Sequence, residues 1–228
     1  MAVAREAGFG MKPAPRWNSR AAAGCASLLS IIRAKRGQNT SDLTVRDVAD
    51  VFIADLVDSG MNDIILIGHS NAGTILPIVA AKVPHLIRRY VYVSCIAPPP
   101  GLTIRQVMSE GRNKLAIDDT VPGERLRHMF CNDMTPGYAD AFMAKLGHDT
   151  WPTLKALDET EWAYDHLADK PSTYVICLQD QALPPEWQEI FAARVHATHR
   201  VCIDAGHQAM NTRPHGLAEI LRMEARRI

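Results

Sequence analysis

The 228-residue chain predicts an α/β protein with a mostly parallel central sheet. The first observation is that short apolar runs alternate with segments of helical spacing from about residue 43 onward, and a polar loop follows three of these runs. The second is that the runs are almost continuously apolar, as expected of strands that are buried on both faces. They lie at residues 63–67, 90–95, 174–178 and 200–203.

Helical patterns separate these strands. The first covers residues 43–56, with Thr44 as the expected N-cap and Ser59 and Gly60 ending the helix. Further helices are predicted at residues 72–81, 186–195 and 213–226. A long helix-rich excursion at about residues 101–170 begins after a proline-rich stop, with helical pieces near 104–110, 124–130, 137–146 and 150–158.

The amino-terminal segment does not follow this pattern. Residues 1–42 are predicted to be irregular, and residues 43–228 to form one core with the excursion inserted. No strand-like run precedes Asp63, and residues 1–36 are rich in Ala, Arg, Pro and Ser without a usable periodicity. A start that is truncated, misassigned or shifted in reading frame would produce such a segment.

Composition narrows the class of function. The formal net charge is zero, which gives no electrostatic reason to expect nucleic acid, an anionic membrane surface or a strongly charged substrate as partner. The cysteines are odd in number and scattered, which predicts reduced core thiols and a cytoplasmic protein. They are Cys25, Cys95, Cys131, Cys177 and Cys202. No transmembrane run is predicted, and a homo-oligomer stays open.

One stretch points to chemistry. Gly68-His69-Ser70-Asn71-Ala72 follows the strand at 63–67 and places a serine on a tight strand-to-helix turn. A nucleophilic serine needs this geometry, because the turn exposes its hydroxyl. Small residues at Gly68 and Ala72 suit so sharp a turn. The usual pattern ends in glycine, so Ala72 departs from it by one methyl group, and the stretch by itself also fits an ordinary strand-to-helix turn.

Two later residues complete a candidate relay for Ser70. A serine hydroxyl needs a histidine base, and the base needs a carboxylate that fixes its tautomer. Asp180 lies on a proline-stopped loop after one strand, and His207 lies on the loop after the next. Asp204 is an alternative acid, but an aspartate at the end of a strand is more often a turn former, which favours Asp180.

The segments IILIGHSNAG, YVICLQDQALPPEWQ and VCIDAGHQAMNTRP resemble the nucleophile elbow, acid loop and histidine loop of the α/β-hydrolase superfamily. More narrowly, they are similar to the group of salicylate-binding-type plant methyl esterases, hydroxynitrile lyases and their bacterial esterase relatives. The resemblance covers roughly Leu43 to the carboxyl terminus. It implies a helical cap over the site and a Ser70, His207 and Asp180 triad that hydrolyses small carboxylic esters without metal or organic cofactor. The Asn71 N–H would then face the oxyanion.

The resemblance also implies a second oxyanion donor from an early glycine loop, whose His-Gly signature is absent here. Residues 7–10 and 37–40 are the candidate remnants of that region. An incomplete oxyanion hole predicts a weak esterase, because loss of one donor costs about a hundred- to a thousandfold in rate. Two other functions stay open: a hydroxynitrile lyase that uses the same triad, and a non-catalytic relative that binds a small ligand.

Overall fold

The computed structural model describes residues 2–4, 25–27, 42–112, 123–146 and 152–227. Within these ranges six strands form one sheet in the order β2-β1-β3-β4-β5-β6. The strands are β1 (Ala2–Ala4), β2 (Cys25–Ser27), β3 (Ile64–Ser70), β4 (Ile87–Cys95), β5 (Ser172–Cys177) and β6 (His199–Ile203). β3 to β6 are parallel to one another, which confirms the predicted mostly parallel sheet.

The two amino-terminal strands correct the expectation that no strand precedes Asp63. β1 pairs antiparallel with both β2 and β3. Each of the two strands has only three residues, so neither produces an alternation that a sequence pattern could reveal. The candidate loops at residues 7–10 and 37–40 lie outside the described residues.

Helices occupy the described connections from β2 onward and follow β6. They are α1 (Val45–Asp58), α2 (Ala72–Lys82), α3 (Ile104–Arg112), α4 (Glu124–Cys131), α5 (Pro136–Met143), α6 (Leu154–Leu157), α7 (Pro185–Arg194), α8 (Ala209–Thr212) and α9 (Pro214–Arg226). Helices α3 to α6 lie between β4 and β5, in the segment that was predicted to be helix-rich. This connection, residues 96–171, is called the cap below. In the described part of the chain, no helix is long and apolar enough to cross a membrane.

The start of α1 shows how local sequence sets an element. The Thr44 side chain accepts a hydrogen bond from the Asp47 N–H at 3.0 Å, and the Asp47 carboxylate accepts one from the Thr44 N–H at 2.8 Å. This reciprocal pair satisfies two N–H groups that a helix start leaves without partners. At the other end Ser59 is the C-cap and Gly60 adopts a φ of 63°. The predicted N-cap and stop are both confirmed.

Alternate residues of the central strands pack against helices on opposite faces of the sheet. One face packs against α1, α2 and α7, and its strand residues include Ile64, Leu66, Tyr92, Tyr174 and Ile176. The other face packs against α8 and α9, and its strand residues include Ile65, Ile67, Val91, Val93 and Val175. Because helices cover both faces, successive strand residues are apolar, which explains the near-continuous runs in the sequence.

A buried ion pair holds α9 against the sheet. Glu224 on α9 and Arg89 on β4 are 1% and 5% exposed, and the Arg89 Nε donates to the Glu224 carboxylate at 2.9 Å. The Thr173 hydroxyl of β5 donates to the same carboxylate oxygen at 2.5 Å. Arg227 lies 3.2 Å from the other oxygen. The carboxylate is thus bound by two strands and by its own helix.

We expect Glu224→Ala to lower the free energy of unfolding by about 3–5 kcal/mol, because the Arg89 charge would stay buried without its partner. Glu219→Ala is the matched control, since Glu219 lies exposed on the same helix and pairs with Arg222. This control should cost about 1 kcal/mol or less. Urea unfolding of both variants makes the comparison, and equal losses would contradict the role given to Glu224.

Candidate active site

The site lies where the carboxyl ends of the parallel strands meet at one edge of the sheet. Ser70 is the last residue of β3, while Asp180 and His207 lie on the loops that follow β5 and β6. Open α/β sheets bind their ligands at this edge. The topology therefore brings together residues that are up to 137 positions apart in the chain.

Ser70 sits in a strained turn. Its φ is 54°, in the left-handed region that residues with a side chain rarely adopt. The β3–β4 pairing shifts register between His69 and Ser70, and the Ile96 N–H donates to the Ser70 carbonyl at 3.1 Å. Ser70 is partly exposed, so its hydroxyl is accessible from outside the core.

Close packing explains which positions of the turn must be small. A Cβ on Gly68 would lie 2.7 Å from a Leu76 methyl carbon and 3.1 Å from the Ala72 Cβ. A Cβ on Gly73 would lie only 2.1 Å from the Ile96 carbonyl oxygen. Within this turn, a side chain would therefore clash most severely at Gly73, which lies one residue beyond the usual motif. Position 72 accommodates the methyl group of alanine, so this departure from the pattern leaves the turn intact.

The structure brings the three predicted residues into one hydrogen-bonded chain. His207 Nε2 lies 2.9 Å from Ser70 Oγ, and His207 Nδ1 lies 2.7 Å from Asp180 Oδ2. His207 and Asp180 are each 1% exposed. A carboxylate only accepts hydrogen bonds, so Nδ1 carries the proton and Nε2 is left to accept one from the serine. This is the arrangement that general-base activation of a hydroxyl requires.

The acid loop holds its carboxylate firmly. The other oxygen of Asp180 accepts hydrogen bonds from the N–H groups of Ala182 and Leu183, both at 2.8 Å. The buried Gln188 side chain ties this loop to β5, because it accepts from the Cys177 N–H at 2.9 Å and donates to the Leu183 carbonyl at 2.7 Å. The loop geometry therefore orients the carboxylate before any ligand is present.

Asp204 occupies a different environment. It is exposed, and its Oδ1 accepts a hydrogen bond from the Gln179 side chain at 2.5 Å. The acid that contacts His207 is Asp180. Asp204 links the ends of the acid and histidine loops instead.

His69 supports the histidine loop from β3. Its Nε2–H donates to the His207 carbonyl at 2.8 Å, and the two ring centroids are 4.7 Å apart. Burial and the neighbouring His207 lower the pKa of His69 to about 3. His69 therefore stays neutral at ordinary pH and adds no positive charge beside His207.

The cap contacts both loops of the candidate site. Asn132 donates from its side chain to the Gln179 carbonyl at 2.7 Å, and Asp133 accepts from the Gly206 N–H at 2.8 Å. A Cβ on Gly206 would lie 2.5 Å from Asp133 Oδ1 and 2.6 Å from Asn132 Oδ1, so any other residue would force these two side chains to shift. Sequence reasoning missed these contacts, and the glycine next to the histidine was the one available signal.

Two further polar groups belong to the site. Asn71 is the N-cap of α2, and N–H groups at the start of a helix have no acceptor within the helix. Its N–H lies next to Ser70 in the chain, and its role as an oxyanion donor stays a prediction. Ser94 was not predicted, yet its hydroxyl donates to Asp180 Oδ2 at 2.5 Å. Its only signal was a hydroxyl near the end of an apolar strand.

Other reactive groups near the site are passive. Burial raises the pKa of the Cys95 thiol to about 12 and also raises that of Cys177, so both stay protonated and are poor nucleophiles. Cys131 is buried as predicted, whereas Cys202 is exposed because it lies on β6 at the edge of the sheet. Among the described residues, no group of three or more His, Cys, Asp or Glu side chains could hold a metal ion.

Comparison with known proteins identifies the family. The model of the alpha/beta hydrolase family matches residues 7–220, so the chain belongs to this family. The family named from the three sequence segments is confirmed.

Individual relatives are more distant. A probable hydrolase, R7, from Phoma sp. is 25% identical over 171 residues, which cover 70% of this chain and 68% of that protein. An extracellular alpha/beta-hydrolase from a Paenibacillus species superposes with a TM-score of 0.69 at 20% identity, over 83% of each chain. It is described as sharing structural and functional homology with tobacco salicylic acid binding protein 2. Polyneuridine aldehyde esterase superposes with a TM-score of 0.63 at 15% identity, over 81% of this chain and 80% of its own. Both structures fit the narrower group that the segments resemble.

The low pKa of His69 has a consequence for stability. Between about pH 6.5 and pH 3 the unfolded chain takes up a proton at residue 69 that the folded chain does not, so the wild type loses stability as the pH falls through this window. His69→Gln keeps a donor for the His207 carbonyl but does not titrate. We expect its unfolding free energy, measured by urea titration at several pH values, to fall less steeply over this range. Parallel curves for the two proteins would contradict the neutral His69.

Proposed function

We propose that this hydrolase cleaves small carboxylic esters through a serine acyl-enzyme. One observation carries the proposal: the continuous hydrogen-bonded chain from Ser70 through His207 to Asp180, with distances of 2.9 and 2.7 Å. The partial exposure of Ser70 supports access of a substrate to the hydroxyl, while the burial of His207 and Asp180 shields the hydrogen bond between them from bulk water.

In acylation Ser70, His207 and Asp180 have separate roles. The Ser70 oxygen attacks the ester carbonyl carbon, and its proton passes to His207 Nε2. Asp180 keeps its hydrogen bond to Nδ1–H and stabilises the imidazolium that forms. When the tetrahedral intermediate collapses, the bond to the alcohol oxygen breaks and His207 returns the proton to that oxygen. The alcohol leaves, and the acyl group stays on Ser70.

Deacylation repeats these steps with water as the nucleophile. Water attacks the acyl carbonyl carbon and loses a proton to His207, and collapse of the second intermediate returns this proton to the Ser70 oxygen. The products are a carboxylic acid and an alcohol. Every proton moves between His207 and the oxygen of Ser70, the alcohol or water, while Asp180 holds the base, so the proposed reaction needs no cofactor.

The developing oxyanion needs hydrogen-bond donors. The Asn71 N–H is assigned this role because it follows Ser70 directly and begins α2, where the positive end of the helix dipole favours an anion. The expectation of a weak esterase depends on a second donor. That donor was expected from the amino-terminal segment, in loops outside the described residues.

The surroundings favour an uncharged, partly apolar ester. The ring of Phe130 in the cap lies with its centroid 5.4 Å from the His207 ring, so an apolar side chain borders the proposed base. The names of the structural neighbours support the same class of substrate, since one is an esterase and another is related to a salicylic acid binding protein. The buried free thiols are in keeping with a reducing, cytoplasmic location, although the Paenibacillus neighbour is described as extracellular.

Ser70→Ala should abolish turnover of a short-chain aryl ester and covalent labelling by a fluorophosphonate, because both need the Ser70 oxygen. Ser109→Ala, which changes an exposed serine of α3, is the control and should keep both signals. Mass spectrometry of the labelled protein locates the adduct. An adduct on another serine, or cyanohydrin cleavage by a wild type that does not hydrolyse esters, would overturn the proposed function.

Asp180→Asn should lower kcat by about a thousand- to ten-thousandfold, because an amide in place of the carboxylate no longer fixes the required histidine tautomer. Asp204→Asn is the matched control. Its Oδ1 can still accept from Gln179, so its kcat should stay close to that of the wild type. Steady-state kinetics on the same aryl ester compare the two, and equal losses would show that the acid is wrongly assigned.

A further inference from the structure

We infer that Ser94 is a positioning residue for this site and the fourth member of its hydrogen-bonded chain. The inference rests on the proposed function, because it concerns how the same site holds its acid. Ser94 lies near the end of β4 and is completely buried. It therefore cannot touch a substrate, and whatever it contributes to a reaction must pass through another residue.

The contacts of Ser94 identify that residue. Its Oγ lies 2.5 Å from Asp180 Oδ2, the same oxygen that contacts His207. Because a carboxylate only accepts hydrogen bonds, the hydroxyl must donate. The distance from Ser94 Oγ to His207 Nδ1 is 3.5 Å, which makes that contact much the weaker of the two. Ser94 thus acts on the acid and lies beside the base.

The four donors around Asp180 show what Ser94 adds. One carboxylate oxygen takes the N–H groups of Ala182 and Leu183, and the other takes His207 and Ser94. A buried carboxylate has about four acceptor sites, and an unfilled one is costly in the absence of water. Without Ser94, only the catalytic histidine itself would hold Oδ2. The hydroxyl keeps this oxygen in place while the histidine gains and loses a proton.

The backbone of Ser94 is strained in the manner of the nucleophile. Ser94 has a φ of 39° and Ser70 a φ of 54°, and both lie at the ends of neighbouring strands. Glycine would adopt this conformation more easily, yet it would supply no hydroxyl. Such strain persists only where surrounding contacts impose it, and it is often found at functional sites.

The order of the strands in the sheet places Ser94 within hydrogen-bonding distance of Asp180. β4 lies between β3, which ends in Ser70, and β5, which leads to Asp180. Each of the four parallel strands therefore delivers one member of the chain, and His207 follows β6. The hydroxyl near the end of β4 reaches one oxygen of the acid, while the loop N–H groups bind the other.

The test measures how fast a fluorophosphonate labels Ser70, together with kcat and KM for a short-chain aryl ester. Ser94→Ala should lower the labelling rate and kcat by about 10- to 100-fold, since a hydrogen bond to a charged group is lost. KM should change by no more than about twofold, because Ser94 does not meet the substrate. Ser94→Cys, which keeps a weak donor, should fall between Ser94→Ala and the wild type.

Two further variants separate this role from simple packing. Ser172→Ala removes another fully buried serine hydroxyl, one that lies at the opposite end of β5, and it should leave the labelling rate unchanged even if the melting temperature falls. Ser94→Gly removes the hydroxyl while it suits the positive φ, so it should fold and show the same loss as Ser94→Ala. If Ser94→Ala does not fold, Ser94→Gly takes its place in the labelling and kinetic measurements.

A double-variant cycle gives the decisive result. If Ser94 acts through Asp180, adding Ser94→Ala to Asp180→Ala should change the labelling rate by less than about twofold. A loss of equal size in both backgrounds, or wild-type labelling by Ser94→Ala, would overturn the inference. A wild type that labels at Ser70 but hydrolyses no ester would overturn the proposed substrate class alone. A wild type that does not label would overturn both.

Discussion

The buried negative charge of Asp180 is the constraint that organises this site. A carboxylate that is 1% exposed has no water to bind, so the protein must provide every donor. The donors come from the acid loop, from the end of β4 and from the histidine loop, which fixes the relative positions of three segments that are far apart in the chain. The Gln188 side chain adds a further constraint, because it hydrogen-bonds to both β5 and the acid loop.

Close approach of backbones is the second requirement of the site. Gly73 lets α2 begin against the end of β4, and Gly206 lets the histidine loop approach the cap. The positive φ at Ser70 costs backbone energy that the packed sheet and helices on both faces must offset. Small residues and backbone strain therefore occur at the edge of the sheet where Ser70 and His207 meet.

The cap is part of the site's support. Asn132 and Asp133 hydrogen-bond the acid and histidine loops, and Phe130 lies against the His207 ring. His69 holds the same loop from the sheet side through the His207 carbonyl. The histidine loop is thus held from two directions, by a polar contact from the cap and by a neutral histidine on β3. This arrangement limits the freedom of the imidazole that must face Ser70.

The sequence by itself determined the elements whose signals are local. The Thr44 capping pair, the apolar runs of β3 to β6 and the polar residues after them depend on residues close in the chain. Periodicity and turn chemistry therefore sufficed to predict the α/β class and to mark Ser70, Asp180 and His207 as candidates. Three-residue strands such as β1 carry no such pattern. Only the tertiary structure decided that Asp180 rather than Asp204 faces His207, that Ser94 donates to the acid, and that the cap hydrogen-bonds to the acid and histidine loops. Those contacts join residues brought together by strand order and loop packing, and no spacing along the chain encodes them.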